Sequence, residues 1–370
     1  MDLAQAAANG VDSTTLIQIA AASKHDVSAR ILETFRAQGL LPRPTRTGHR
    51  GRAPVWIYPT GADQQLISLL GWRQQTKDPN VLRVLLWFDG FPIPSDTVRN
   101  ALADGLRAML DLFEREIAAE AKRHGLDARE ATGRGQTVSL MAAALAAKRG
   151  RNSLPRHGRV SAVQRSRAVE LILRMFALGE RIDATTEEAN AVERVLGVAP
   201  NGRRHRIHDA GPWLTGPAEA LFDAVDVIAV PNALRAVVDA TEVELETARH
   251  IVAALWRYLP LMARMMAALF DDDNYAGMSE LGRLDQHPEI VLIMVPAVIG
   301  MLRAGWENNL QAVATSLGGL PELAAQTERV LELPSQTVDA NLKGKPSEVQ
   351  QYARRIITAA IEGKLRQPPT

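Results

Sequence analysis

Thr15-Leu-Ile-Gln-Ile-Ala-Ala-Ala-Ser-Lys24-His-Asp-Val-Ser28-Ala-Arg30-Ile-Leu-Glu-Thr-Phe35-Arg-Ala-Gln-Gly39-Leu-Leu-Pro42 decides the reading of the N-terminal fold. It predicts two short helices joined by a tight turn. The first is expected to start at Thr15, with Gln18 three residues on as its capping-box partner. Asp26 is expected to cap the second, since its carboxylate can accept from free N–H groups of a first turn. Val27, Ile31 and Phe35 recur at spacing four and form an apolar stripe, leaving Arg30, Glu33, Thr34 and Ala37 outward. Gly39 is placed to stop the helix, because glycine tolerates the left-handed conformation. Pro42 and Pro44 then open a loop, and Val55-Trp56-Ile57-Tyr58 is its returning strand. Helices follow at about 62–75 and 81–88, the latter ending at Asp89-Gly90-Phe91-Pro92.

The charge of this stretch is one-sided. Between Glu33 and Asp63 there is no acidic residue, while Arg36, Arg43, Arg46, Arg50 and Arg52 all fall inside it. Cations without counter-charge beside a helix that can enter a groove predict a phosphate-facing surface. The whole chain carries a formal net charge of only +1, so local clustering alone bears on nucleic acid. With 370 residues, the chain has enough length for two domains. It has no cysteine, which removes disulfides, thiolate metal sites and cysteine catalysis, and suits a cytoplasmic location. The Ala-rich N-terminus carries no secretory signal pattern. The most apolar run, Ile290 to Leu302, contains Pro296 and is too short for a bilayer, so no membrane contact is expected.

Beyond residue 94 the pattern is helical almost throughout, giving a mainly α fold class. The longest element runs from Ser95 to His124, where Val98, Leu102, Leu106, Met109, Phe113 and Ile117 form a near-heptad seam. That seam suits either a dimer contact or packing on a second domain. Residues 126–160 form a basic segment expected to be exposed: from Arg134 to Arg167 there is no Asp or Glu. Further helices are expected at about 161–179, 185–195, 216–229, 231–257, 258–270, 287–304, 320–332 and 347–363.

The N-terminal stretch resembles the helix-turn-helix of MerR-like regulators. The resemblance rests on Ile19-Ala20, on Val27-Ser28-x-Arg30-x-Leu32, on Gly39-Leu40-Leu41-Pro42, and on Tyr58-Pro59 followed by a helix through Leu66 and Leu69. It covers about the first 90 residues and implies a winged helix-turn-helix, with its second helix in the major groove and its wing along the backbone or minor groove. By position it implies contacts to double-stranded DNA from Lys24, His25, Ser28, Arg30, Arg36, Arg43, Arg46, Arg50, Arg52 and Tyr58. Two features depart from the family. Its Arg-Tyr-Tyr run is Glu33-Thr34-Phe35 here, and Gly48 to Pro54 lengthens the wing.

Other constellations are less directive. Asp271-Asp272-Asp273 lacks a second metal motif, and His205 and His208 lack a carboxylate partner. Arg203 to Arg206 and Arg149 to Arg159 offer anion contacts or solvated turns. Trp213, Phe222, Trp256, Tyr258, Phe270 and Trp306, with Met262, Met265, Met266, Met294 and Met301, line either a ligand pocket or a plain core. There is no P-loop, dinucleotide fingerprint or Gly-x-Ser-x-Gly elbow, so no cofactor and no enzymatic activity are expected. The expectation is a homodimeric transcriptional regulator whose helical domain at 161–370 dimerises or senses a small-molecule or protein effector. The alternative is a DNA-associated interaction protein of plasmid or phage control, partition or assembly.

Overall fold

The computed structural model describes residues 10–50, 53–148, 160–180, 229–269, 281–318 and 343–361, with isolated positions between 182 and 195 and residue 322. Twelve α-helices and one hairpin are present among the described residues, so the fold is mainly helical. The chain divides into two compact units. The first comprises residues 1–105 with 286–292, and the second comprises 106–285 with 293–370.

The first unit opens with α1 (Ser13–Ala22) and α2 (Ala29–Ala37). The helix α1 starts two residues before the expected Thr15, because Asp12 accepts from the Thr15 N–H at 2.8 Å and becomes the cap. Likewise Ser28, not Asp26, caps α2 through its hydroxyl on the Ile31 N–H at 3.3 Å. The buried stripe of α2 is Leu32 and Phe35, preceded by Val27, and Ile31 is half-buried. Strands β1 (Thr45–Arg50) and β2 (Ala53–Ile57) then form an antiparallel hairpin. Its exit is tied to the start of α1 by a two-way bridge between Val11 and Tyr58, at 3.2 and 2.8 Å.

The helices α3 (Ala62–Trp72) and α4 (Pro79–Phe88) complete this body. Leu16, Leu32, Phe35, Leu66, Leu69, Leu82 and Leu85 are sealed from solvent and form its core. Burying such side chains stabilises by about 1.5–3 kcal/mol each. Gln65 is buried among them because its side-chain amide donates to the Leu40 carbonyl at 2.9 Å. Arg83 of α4 donates to the Gln38 carbonyl at 2.9 Å, closing the C-terminus of α2.

The long α5 (Ser95–His124) has the expected bounds. Its Val98 and Leu102 are buried within the first unit, Leu106 and Ile117 within the second. In the second unit Leu106 packs with Val230 and Ala233. Of the remaining seam residues, Met109 lies half-buried against the same cluster and Phe113 is half-buried.

The segment expected to be exposed from 126 to 160 is corrected in its first half: Ala131–Ala147 is a helix, α6. Its Gly133, Thr137, Val138, Ala142 and Ala146 are buried, and Ala142 and Ala146 join a core cluster with Ala168, Val169 and Leu171 of α7 (Ala162–Ile172). Small residues let the two backbones approach closely. Gly133 instead meets the turn before α6, where an added Cβ would lie 2.2 Å from the Asp127 carbonyl oxygen. A π-helical turn, Leu173–Ala177, continues α7. After it come α8 (Val230–Val238) and α9 (Glu242–Leu269). The expected break at 257/258 is absent; the chain breaks instead at Ala240 and Thr241, and Pro260 lies inside α9. A 3₁₀ turn (Pro288–Ile290), α10 (Val291–Arg303), α11 (Glu307–Gly318) and α12 (Ser347–Ile361) follow. The helices expected at 216–229 and 320–332 fall essentially outside the described residues.

Candidate nucleic-acid interface

The joint between α1 and α2 is a Schellman turn. His25 N–H donates to the Ala20 carbonyl at 2.9 Å and Lys24 N–H to the Ala21 carbonyl at 3.0 Å. The joint after α2 repeats it, with Leu40 N–H on the Phe35 carbonyl at 2.8 Å and Gly39 N–H on the Arg36 carbonyl at 3.0 Å. Both motifs need a left-handed residue. Gly39 supplies it at φ 69°, whereas Lys24 adopts φ 63° with a full side chain. Among the described residues Lys24 is the one non-glycine with positive φ. Its side chain is exposed. A strained backbone that presents an exposed cation is a local cost with a specific product.

On α2, Arg30, Glu33, Thr34 and Ala37 are exposed, as the spacing predicts. Arg36, predicted as a DNA contact, is half-buried and ion-paired with Glu33 one turn back. Exposed pairs of this kind contribute little, so Arg36 is neutralised more than it is anchored. Ser28 spends its hydroxyl as the α2 cap. His25 is half-buried in the turn.

Tyr58 requires a correction as a contact residue. It is 2% exposed, because its ring enters the core where the hairpin returns beneath Val11. Its part is packing. Another core aromatic, Phe35, receives the Arg73 guanidinium at 4.8 Å from its ring centroid.

Arg43, in the loop before the hairpin, and Arg46, in β1, are exposed. Arg50 ends β1 opposite Ala53, and Arg52 lies outside the described residues. The register pairs Arg46 with Trp56, with an irregularity between Arg46 and Gly48. Trp56 is 49% exposed, while Val55 and Ile57 on either side are half-buried. Trp56 is not among the residues that the sequence singles out for the surface. The signal was the alternation itself: if Val55 and Ile57 turn inward, Trp56 turns outward.

The second basic stretch is different in kind. Arg134 is held by Glu114 through two hydrogen bonds, at 2.9 and 2.6 Å, which raises the guanidinium's affinity for its proton and lowers the Glu114 pKa. Arg167 is shared between Glu188 at 2.9 Å and Glu170 at 3.2 Å, and its pKa is likewise raised. Here the acids come from outside the acid-free interval, so local composition overstated the positive charge. Arg149, Arg151, Arg156, Arg159 and Arg203 to Arg206 lie outside the described residues, as do Asp271 to Asp273 and His205 and His208.

Among the described residues no cluster of three or more His, Cys, Asp or Glu side chains is placed to hold a metal, and no helix is long and apolar enough to cross a membrane. A small apolar cleft in the second unit, with a volume of only about 10 Å³, is lined by Phe113, Ile117, Val138, Met141, Leu173 and Leu178. No protein-family model matches the chain, and no curated protein or solved structure matches it either.

Proposed function

We propose that residues 10–88 are a winged helix-turn-helix reading head and that the protein is a sequence-specific regulator of transcription acting on double-stranded DNA. The observation that carries this reading is a helix–turn–helix followed by a hairpin, on which Lys24, Arg30, Arg43 and Arg46 are exposed and no acid occurs between Glu33 and Asp63. In this reading α2 enters the major groove, with Arg30 near base edges and Lys24 on a phosphate at its entry. The hairpin and the loop before it track the neighbouring backbone through Arg46 and Arg43. Glu33, exposed next to Arg30 on the sequence-reading face, accepts from a cytosine amino group. The protein acts as a homodimer, since one small head supplies few base contacts, and its second unit carries the dimer contact and a small-molecule or protein effector site.

In-vitro selection of duplexes with the full chain, followed by salt titration, tests the reading. Arg43→Ala and Arg46→Ala should each lower the slope of log K against log salt by about 0.9, weakening all sequences alike. Arg30→Ala should relax preference at one position, costing about 1–3 kcal/mol there. Selection that recovers no preferred sequence, or three variants with wild-type affinity, rejects it.

A further inference from the structure

We infer that Trp56 is a base-stacking residue, its indole lying on a base at an opened step of the duplex while Arg46 holds the adjoining phosphate; this rests on the DNA-binding reading above. Trp56 and Arg46 are directly opposed in the antiparallel register, so both side chains leave the same face of the hairpin. Both are exposed. Every other described aromatic side chain is buried or half-buried. Folding buries indole readily, since Trp brings a large apolar surface to a core. Here the strand turns it outward while the smaller Val55 and Ile57 are drawn in.

The chemistry of the pair selects the partner. A flat π-face beside a guanidinium matches a nucleotide, whose base stacks and whose phosphate accepts from the cation. The surrounding interval has no carboxylate to repel that phosphate. The irregularity between Arg46 and Gly48 adds local twist and re-aims the strand at the position facing Trp56. Side chains that wedge into base steps act at flexible pyrimidine–purine steps, where unstacking costs least. Trp56 therefore contributes contact area and a preference for deformable steps, which Arg46 alone does not supply.

The test uses the full chain and a duplex recovered by selection, with 2-aminopurine placed in turn at each position under the hairpin. Trp56→Ala should weaken binding roughly 10- to 100-fold without changing the salt slope, because a stack is lost and no phosphate contact. Trp56→Phe should recover most of that loss. One 2-aminopurine position should change its fluorescence on binding wild-type protein and not Trp56→Ala. Circular dichroism should show both variants folded, as expected for a half-exposed site. Wild-type affinity and an unchanged fluorescence response in Trp56→Ala, with Arg30→Ala still impaired, overturn the stacking role and leave the DNA reading standing. A changed oligomeric state with unaltered DNA affinity assigns Trp56 to a protein contact and also overturns it. If the wild-type chain selects no duplex, both readings fall.

Discussion

Lys24 sits where its neighbour in kind, Gly39, shows what the backbone prefers. Both occupy the left-handed position of a Schellman turn, at φ 63° and 69°. A side chain there costs about 1 kcal/mol relative to glycine. Lys24→Gly is accordingly expected to stabilise the protein by about 0.5–1 kcal/mol in urea melts. Under the proposed function the same variant should lower the salt slope of DNA binding by about 0.9. Stabilisation with unchanged DNA binding would remove Lys24 from the interface and leave it as strain alone. Ser28 and Tyr58 carry the complementary lesson. Their residue types suit DNA contact, but a hydroxyl next to free helix N–H groups becomes a cap, and a ring at the hairpin exit is drawn into the core.

At the scale of elements, the start of α9 has, among the described residues, the carboxylate whose pKa is shifted most. Glu244 accepts from the Thr241 N–H at 2.7 Å and its hydroxyl at 2.9 Å, while Thr241 accepts from the Glu244 N–H, a capping box. Arg303, at the end of α10, clamps the same carboxylate at 2.6 and 3.1 Å and reaches the Asp239 carbonyl at 2.9 Å. The Arg303 hydrogen bonds chiefly, with help from Thr241, hold the Glu244 pKa down from 4.5 to about 2. A carboxylate depressed on folding stabilises fully above its unfolded pKa, and that stability is lost as pH falls through the folded value. The window is about pH 5 to 2, and the contribution is on the order of 2 kcal/mol for a side chain 25% exposed. Glu244→Gln should therefore destabilise at pH 7 and flatten the pH dependence in that window. A variant as stable as wild type at pH 7 would show the clamp to be energetically idle. The element that sequence reading missed, α6, is instructive too. Its Gly, Ser, Thr and Arg content resembles a loop, and its buried face is made of small residues whose value appears only against α7.

For the whole molecule, the open question is how two copies meet. Val98, Leu102, Leu106 and Ile117 of α5 are buried, while Met109 and Phe113 of the same seam are half-buried. Under the proposed function, a twofold dimer should select inverted repeats with half-sites about 10–10.5 base pairs apart, or a multiple of that. Sedimentation of the free chain and the symmetry of selected duplexes measure this. A monomer that selects a single, asymmetric half-site would contradict it.

The existence of the two N-terminal helices, the glycine stop at Gly39 and the mainly helical character of the rest were legible in the chain, because those signals lie within the stretch they govern. The caps were displaced, to Asp12 and Ser28, since several polar residues compete for one helix start. The charge of the 34–62 interval was also legible there, because no acid lies near it in sequence. Tertiary structure decided which of those charges stay exposed and which aromatic does. Glu114 and Glu188 come from other elements to neutralise Arg134 and Arg167. Tyr58 is buried and Trp56 left out by the register of a hairpin whose exit is pinned to Val11. Ion pairs and burial depend on groups distant in the chain, so composition proposes an interface and packing selects its members.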